Sequence, residues 1–277
     1  MAESNLLFLK LGGSLITDKD RPQTARLDVL QRLAGEIAAA CRQQPGLKLV
    51  FGHGSGSFGH VTASKYHTRQ GVHDRQGWLG FAEVWRSANL LNRLVVDSLA
   101  QAGLPVINFP PSAMLMAEDG QPAGWDLTPL QSALQNGLLP VLHGDVVFDQ
   151  QRGGTILSTE DLFNHLALAL QPSRILLAGL ESGVWADYPL CQSLLPEITP
   201  HCLPAVLPAL QGSASVDVTG GMVDKVLQSL ALIERLPGLK IQIFSGAQPG
   251  AVRNALAGEF PGTTLHYGHT YQPGKGC

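Results

Sequence analysis

Two lysines occupy positions that packing alone does not explain. Lys10 interrupts the apolar run Leu6 to Leu11 and is followed directly by Gly12-Gly13-Ser14. An unpaired ammonium inside a strand is costly, so this position calls for an anion at the strand's end. Lys225 falls one turn into the apolar-periodic segment Val223 to Leu236, which follows Gly220-Gly221. A helix start offers free backbone N–H groups and a partial positive charge, and glycine lets an anion come close. Between the two lysines lies the most glycine-dense segment of the chain, Gly52-His53-Gly54-Ser55-Gly56-Ser57-Phe58-Gly59-His60, and further on His143-Gly144-Asp145. Phosphate binding is the chemistry these features share. There is no GxxxxGK[ST], and Gly52 to Gly59 does not fit a dinucleotide fingerprint.

The elements that must hold these residues are legible as strand and helix periods. Leu6 to Leu11, Leu47 to Phe51, Pro105 to Phe109, Leu138 to Leu142, Arg174 to Ala178, Leu239 to Phe244 and Thr263 to Tyr267 read as short strands. Leu27 to Cys41, Trp78 to Gln101, Glu160 to Leu170, Val223 to Leu236 and Ala251 to Leu256 read as helices. Asp119-Gly120 and Arg152-Gly153-Gly154 predict two hairpins. Alternating strands and helices, with continuous apolar strands, predict an α/β fold whose sheet is mainly parallel and covered on both faces. Ligands then bind beyond the carboxyl ends of the strands, where Gly12-Gly13, Gly52 to Gly59, Gly144, Gly179 and Gly246 gather.

Composition narrows the classes. The chain has 277 residues, 44% hydrophobic and 15% charged, with a formal charge of -3. That excludes a disordered chain and gives no bulk attraction for nucleic acid or an anionic membrane. No apolar stretch approaches the roughly 20 residues of a membrane span, and no signal peptide is visible, so the expectation is a cytoplasmic protein. Cys41, Cys191, Cys202 and Cys277 form no CxxC pair and read as free thiols. A single domain is expected over residues 1–277, with a frayed tail over 269–277.

Three motifs together resemble the amino-acid-kinase superfamily: Lys10-Leu11-Gly12-Gly13-Ser14, His53-Gly54-x-Gly56-Ser57-Phe58-Gly59-His60, and Asp217-Val218-Thr219-Gly220-Gly221-Met222 with Lys225. Within it, Ile16-Thr17-Asp18-Lys19, Gly56 to His60 and His143-Gly144-Asp145 are similar to the isopentenyl phosphate kinase branch. The resemblance runs from about Leu7 to about Leu265. It implies a three-layer αβα sandwich, an N-terminal acceptor lobe over about 1–170 and a C-terminal nucleotide lobe over about 171–268. It also implies ATP with Mg²⁺ as cofactors, isopentenyl phosphate (and dimethylallyl phosphate) as acceptor, a homodimer, and a place in isoprenoid biosynthesis by the mevalonate pathway.

By this resemblance Lys10 touches the transferred phosphoryl, Lys225 the ATP phosphates and Lys19 the γ-phosphate. Gly12, Gly13, Gly179, Gly183, Asp217, Gly220 and Gly221 border the nucleotide. Gly54, Ser55, Gly56, Gly59, Gly144 and Asp145 border the acceptor. His60 donates to the acceptor phosphate, and the Asp161 carboxylate holds the two lysines in place. Alone, Asp161 reads equally well as an acid favoured by a helix N-terminus. The family more often has Ser-Gly-Asp-Asp where this chain has Ser158-Thr159-Glu160-Asp161, and Glu160 is assigned no part. The family's Thr-Asp-Val-Asp-Gly-Val-Tyr is replaced by Gly179-Leu180-Glu181-Ser182-Gly183-Val184-Trp185. Both aspartates are absent, which leaves nucleotide preference and ribose contacts open. Trp78, Phe81, Trp85 and Ala88 fall at one helical face; they read as core, or as walls for an isoprenoid tail. The alternatives are a fosfomycin-type phosphonate kinase and a non-catalytic nucleotide-binding protein of the same fold.

Overall fold

Alternation along the first strand sets the layers. In the computed structural model, which describes residues 5–211 and 221–268, β1 (Leu6–Leu11) sends Leu6 and Phe8 to one face and Leu7, Leu9 and Leu11 to the other. Lys10, two residues beyond Phe8, therefore falls on the Phe8 face.

A four-residue turn of helix, α1 (Gly13–Ile16), leads to α2 (Leu27–Gln43), β2 (Lys48–His53), α3 (Gly56–Tyr66) and the long α4 (Arg75–Gln101). Then come β3 (Val106–Asn108), α5 (Pro111–Met114), β4 (Met116–Glu118), β5 (Gln121–Ala123) and α6 (Thr128–Gln135). The middle of the chain is β6 (Leu139–His143), β7 (Asp145–Asp149), β8 (Gly153–Leu157) and α7 (Thr159–Leu170). It continues through β9 (Arg174–Gly179), β10 (Val184–Trp185), β11 (Leu194–Leu195), β12 (Glu197–Ile198) and α8 (Leu203–Gln211). The last elements are α9 (Met222–Arg235), β13 (Lys240–Ser245), α10 (Ala251–Leu256) and β14 (Thr263–Leu265).

Eight strands form one sheet in the order β12-β14-β13-β9-β1-β2-β6-β3, every pair parallel except β13 with β14. Helices α6, α7 and α9 cover the Phe8 face, where Phe8 and Phe163 rings lie 5.0 Å apart. The opposite face packs on α2, α4 and α10. This is the expected three-layer α/β arrangement with a mainly parallel sheet. A smaller sheet, β5-β4-β7-β8, holds both predicted hairpins. Asp119 and Gly120 turn the first with φ of 48° and 77°.

Two readings shift. The segment from Gly56 to His60 is the start of α3, not loop, so His60 sits on that helix. Helix α4 buries Phe81, Val84, Ala88, Leu91 and Val95, while Trp78 and Trp85 remain 37% and 45% exposed. Three positions on a helix turn about 300°, so buried Phe81 and Ala88 stand roughly 60° round from Trp78 and Trp85, which fall at the edge of the buried face. Cys41 and Cys191 are free, whereas Cys202 is disulfide-bonded and not the free thiol expected. Among the described residues no helix is long and apolar enough to cross a membrane.

Candidate active site

The two glycine loops meet backbone to backbone. A Cβ on Gly13 would lie 2.3 Å from the Gly56 amide nitrogen, and one on Gly54 would lie 2.9 Å from that of Gly13. Gly56 has a φ of 48° and would clash with Thr17. Thr17 locks the junction: its hydroxyl donates to the Gly13 carbonyl at 2.7 Å and accepts from the Ser57 N–H at 3.0 Å. Glycine is required here for loop-to-loop contact. A cavity opens on each side of the junction.

The first cavity, about 280 Å³, is lined by Lys10, Gly12, Lys19, Gly179, Gly183, Gly221 and Lys225, all expected at the nucleotide. Leu180, Glu181, Trp185 and Tyr188 line it as well, and the Trp185 indole donates to Glu181 at 3.1 Å. Gly221 caps α9, whose first turn carries Lys225. Asp217 and Gly220 lie outside the described residues.

Strand alternation brings Lys10 to the face of α7 and α9, and there its ammonium donates to Glu160 Oε1. Burial would raise the Glu160 carboxyl, but Lys10 and Lys225 outweigh it and hold the group below its usual range. An ionised carboxylate thus sits between the two lysines. The acid doing this is Glu160, not Asp161. Asp161 turns back on its own helix: Ser158 Oγ accepts from the Asp161 N–H at 3.1 Å, and Asp161 Oδ2 accepts from the Ser158 N–H at 2.8 Å. That capping box ties the carboxylate to the start of its own helix. The pattern Ser-x-x-Asp at 158–161 is the sequence signal for it.

The second cavity, about 310 Å³, is lined by Ser55, Gly59, Gly144 and Asp145, all expected at the acceptor, together with Arg69. Ala63, Val84, Ala88 and Ile156 add apolar lining. Trp78, Phe81 and Trp85 are not in its lining. Phe81 lies behind it, packed on Trp78 and Phe148 at 5.3 and 5.2 Å between ring centres. Of His60 the structure describes the backbone, on α3.

Asp145 belongs to a buried titratable group of three with His53 and His143. The rings of His53 and His143 stack at 5.5 Å, and His143 Nε2 is 3.6 Å from Asp145 Oδ2. Burial, then the His53 charge, pushes His143 down to about 3. Burial likewise lowers His53 despite its contacts to Asn92 and Gly54. Burial pushes Asp145 up to about 7, against donors from Ser112, Val146 and Asn89. Asp145, which lines this cavity, is therefore only partly charged near neutral pH.

A family model described as the amino acid kinase family matches residues 5–245. An isopentenyl phosphate kinase of Methanothermobacter thermautotrophicus is 35% identical over 92% of this chain and 96% of its own length. That of Methanocaldococcus jannaschii is 32% identical over 95% and 99%. A solved structure titled as X-ray structures of isopentenyl phosphate kinase aligns with a TM-score of 0.78 at 33% identity, covering 94% of this chain and 99% of that one. With paired glycine loops, a lysine–carboxylate–lysine centre and a family match over residues 5–245, the chain belongs to the amino acid kinase family.

Proposed function

We propose that this chain transfers the γ-phosphoryl of ATP to isopentenyl phosphate, giving isopentenyl diphosphate and ADP. One observation carries the reading: the second cavity combines polar, anion-suited groups with apolar lining, across the glycine junction from the first cavity. A phosphate monoester on a short hydrocarbon fits that combination. The family and the named relatives support the same activity.

In this reading an acceptor phosphate oxygen bonds to the γ-phosphorus as the bond from that phosphorus to the β–γ bridging oxygen breaks. The acceptor's second pKa is about 6, so at neutral pH it is largely dianionic and needs no general base. The side chains position charge. Lys10 sits at the transferred group, Lys225 and Lys19 take the ATP phosphates, and Glu160 holds the lysines. His60 on α3 donates to the acceptor phosphate. Mg²⁺ arrives with the nucleotide, its shell filled mainly by phosphate oxygens and water. The acceptor lobe spans about residues 1–170 and the nucleotide lobe about 171–268. A cytoplasmic homodimer accepting dimethylallyl phosphate as well completes the proposal.

ADP release with Mg·ATP and a panel of isopentenyl phosphate, dimethylallyl phosphate, fosfomycin and buffer tests it, with His60→Gln alongside. Acceptor-dependent ADP with isopentenyl phosphate, lost in the variant, is expected. Turnover of fosfomycin alone would move the chain to phosphonate acceptors, and silence with nucleotide still bound would leave a binding protein.

A further inference from the structure

Among the described residues Arg69 brings the one permanent cation of the acceptor cavity's lining, and nothing above uses it. It sits in a short 3₁₀ turn, Thr68–Gln70, between α3 and α4. The turn is pinned to β8, because the Arg69 carbonyl accepts from Thr155 Oγ1 at 2.9 Å. The two ends of the guanidinium have different surroundings. Nη2 donates to Asp161 Oδ2 at 3.3 Å, while Nη1 is buried without a hydrogen-bond partner. A buried guanidinium N–H lacking an acceptor is costly and calls for a missing partner. Arg69 lines the cavity together with Gly144 and Asp145. Asp161, fixed in its capping box, acts as the strut that aims it.

We propose that Arg69 is the clamp for the acceptor phosphate, a small turn of the guanidinium bringing Nη1 from its covered position onto a phosphate oxygen while Nη2 stays on Asp161. The assignment rests on the acceptor reading above. It gives Asp161 a positioning part that differs from the lysine-holding part of Glu160. A planar fork can serve a carboxylate and a phosphate at once, which a lysine ammonium matches poorly.

The test measures KM for isopentenyl phosphate and for Mg·ATP separately, and the melting shift produced by each ligand alone, in wild type, Arg69→Gln and Arg69→Lys. Arg69→Gln is expected to raise the acceptor KM about 10- to 100-fold, with the Mg·ATP KM within about twofold of wild type. It should lose the melting shift from isopentenyl phosphate and keep the shift from Mg·ATP. Arg69→Lys should recover only part of the loss. If Arg69→Gln does not fold, Arg69→Lys and Asp161→Asn carry the test, each raising the acceptor KM selectively. An unmoved acceptor KM, or both KM values moving together, overturns the clamp. A wild type silent on isopentenyl phosphate overturns the acceptor reading and the clamp with it; an active wild type with unmoved variants overturns the clamp alone.

Discussion

Glu160 neutralises two ammonium groups from the first turn of α7, and its neighbour Asp161 neutralises none of them. Adjacent residues on a helix point about 100° apart, so one carboxylate faces the lysines and the other its own cap. The two should separate experimentally. Glu160→Gln removes the charge between Lys10 and Lys225 and is expected to lower kcat about 10²- to 10³-fold. Asp161→Asn weakens the cap and the strut to Arg69, with a stability loss of about 1 kcal/mol and a far smaller fall in kcat. Steady-state kinetics at saturating substrates, set beside thermal melts, distinguish them. Equal losses of kcat in both would contradict the assignment of Glu160.

At the scale of elements, glycines that look alike in sequence do different work. Gly13 closes the junction against Gly56, whereas a Cβ on Gly179 would meet nothing within 4 Å. Gly13→Ala should therefore lower the melting temperature by overpacking, at a cost of roughly 1–3 kcal/mol. Gly179→Ala should melt like wild type and raise the KM for Mg·ATP, since its new methyl enters the nucleotide cavity. Helix α4 shows a similar division. Val84 lines the acceptor cavity and Trp85 lies 45% exposed outside it. Val84→Ala should improve relative kcat/KM on prenyl phosphates longer than five carbons, and Trp85→Ala should leave chain-length preference where it was. A gain in Trp85→Ala would place that indole in the cavity after all.

Across the whole molecule, the buried trio His53, His143 and Asp145 leaves a signature in stability. Asp145 keeps a proton up to about pH 7 when folded but releases it near its ordinary 3.8 when unfolded. Between those values the folded state holds the extra proton, so this group's contribution falls as pH rises. The histidines act with the opposite sign, since the unfolded state protonates below about 6.5. Asp145 therefore masks one of them. Urea unfolding of Asp145→Asn should show stability rising with pH more steeply than wild type, by about 1.4 kcal/mol per unit between pH 4 and 7. Parallel curves would mean that Asp145 is ionised in the folded protein.

The layered architecture and most strands could be read from apolar periods, because burial on both sheet faces writes itself into composition. Lys10, Gly179 and Lys225, which line the first cavity, were legible for a different reason: each breaks a local pattern at a strand end or helix start. The choice between Glu160 and Asp161 was settled by a 100° rotation that adjacency in sequence conceals. Arg69 was silent, since a 3₁₀ turn between helices carries no periodic signal, and its partner lies 92 positions away. Helix α3 was masked by its own glycines, which the loop junction demands and helix propensity disfavours.

Lys10 also guards how the sheet assembles. Along β1 it pairs with Gly52 on one side and Leu177 on the other. If β1 flipped its faces through a one-residue slip, Lys10 would enter the aliphatic layer of Leu33, Ile37 and Leu91, where no partner exists among the buried residues of that cluster. An unpaired ammonium there would cost several kcal/mol, so the misaligned sheet is rejected. Lys10→Met should thus abolish turnover and, separately, lower the yield of correctly refolded protein from urea, read as recovered nucleotide-independent near-ultraviolet dichroism. The residue that meets the phosphoryl group would then be the same one that tells the first strand which way to face.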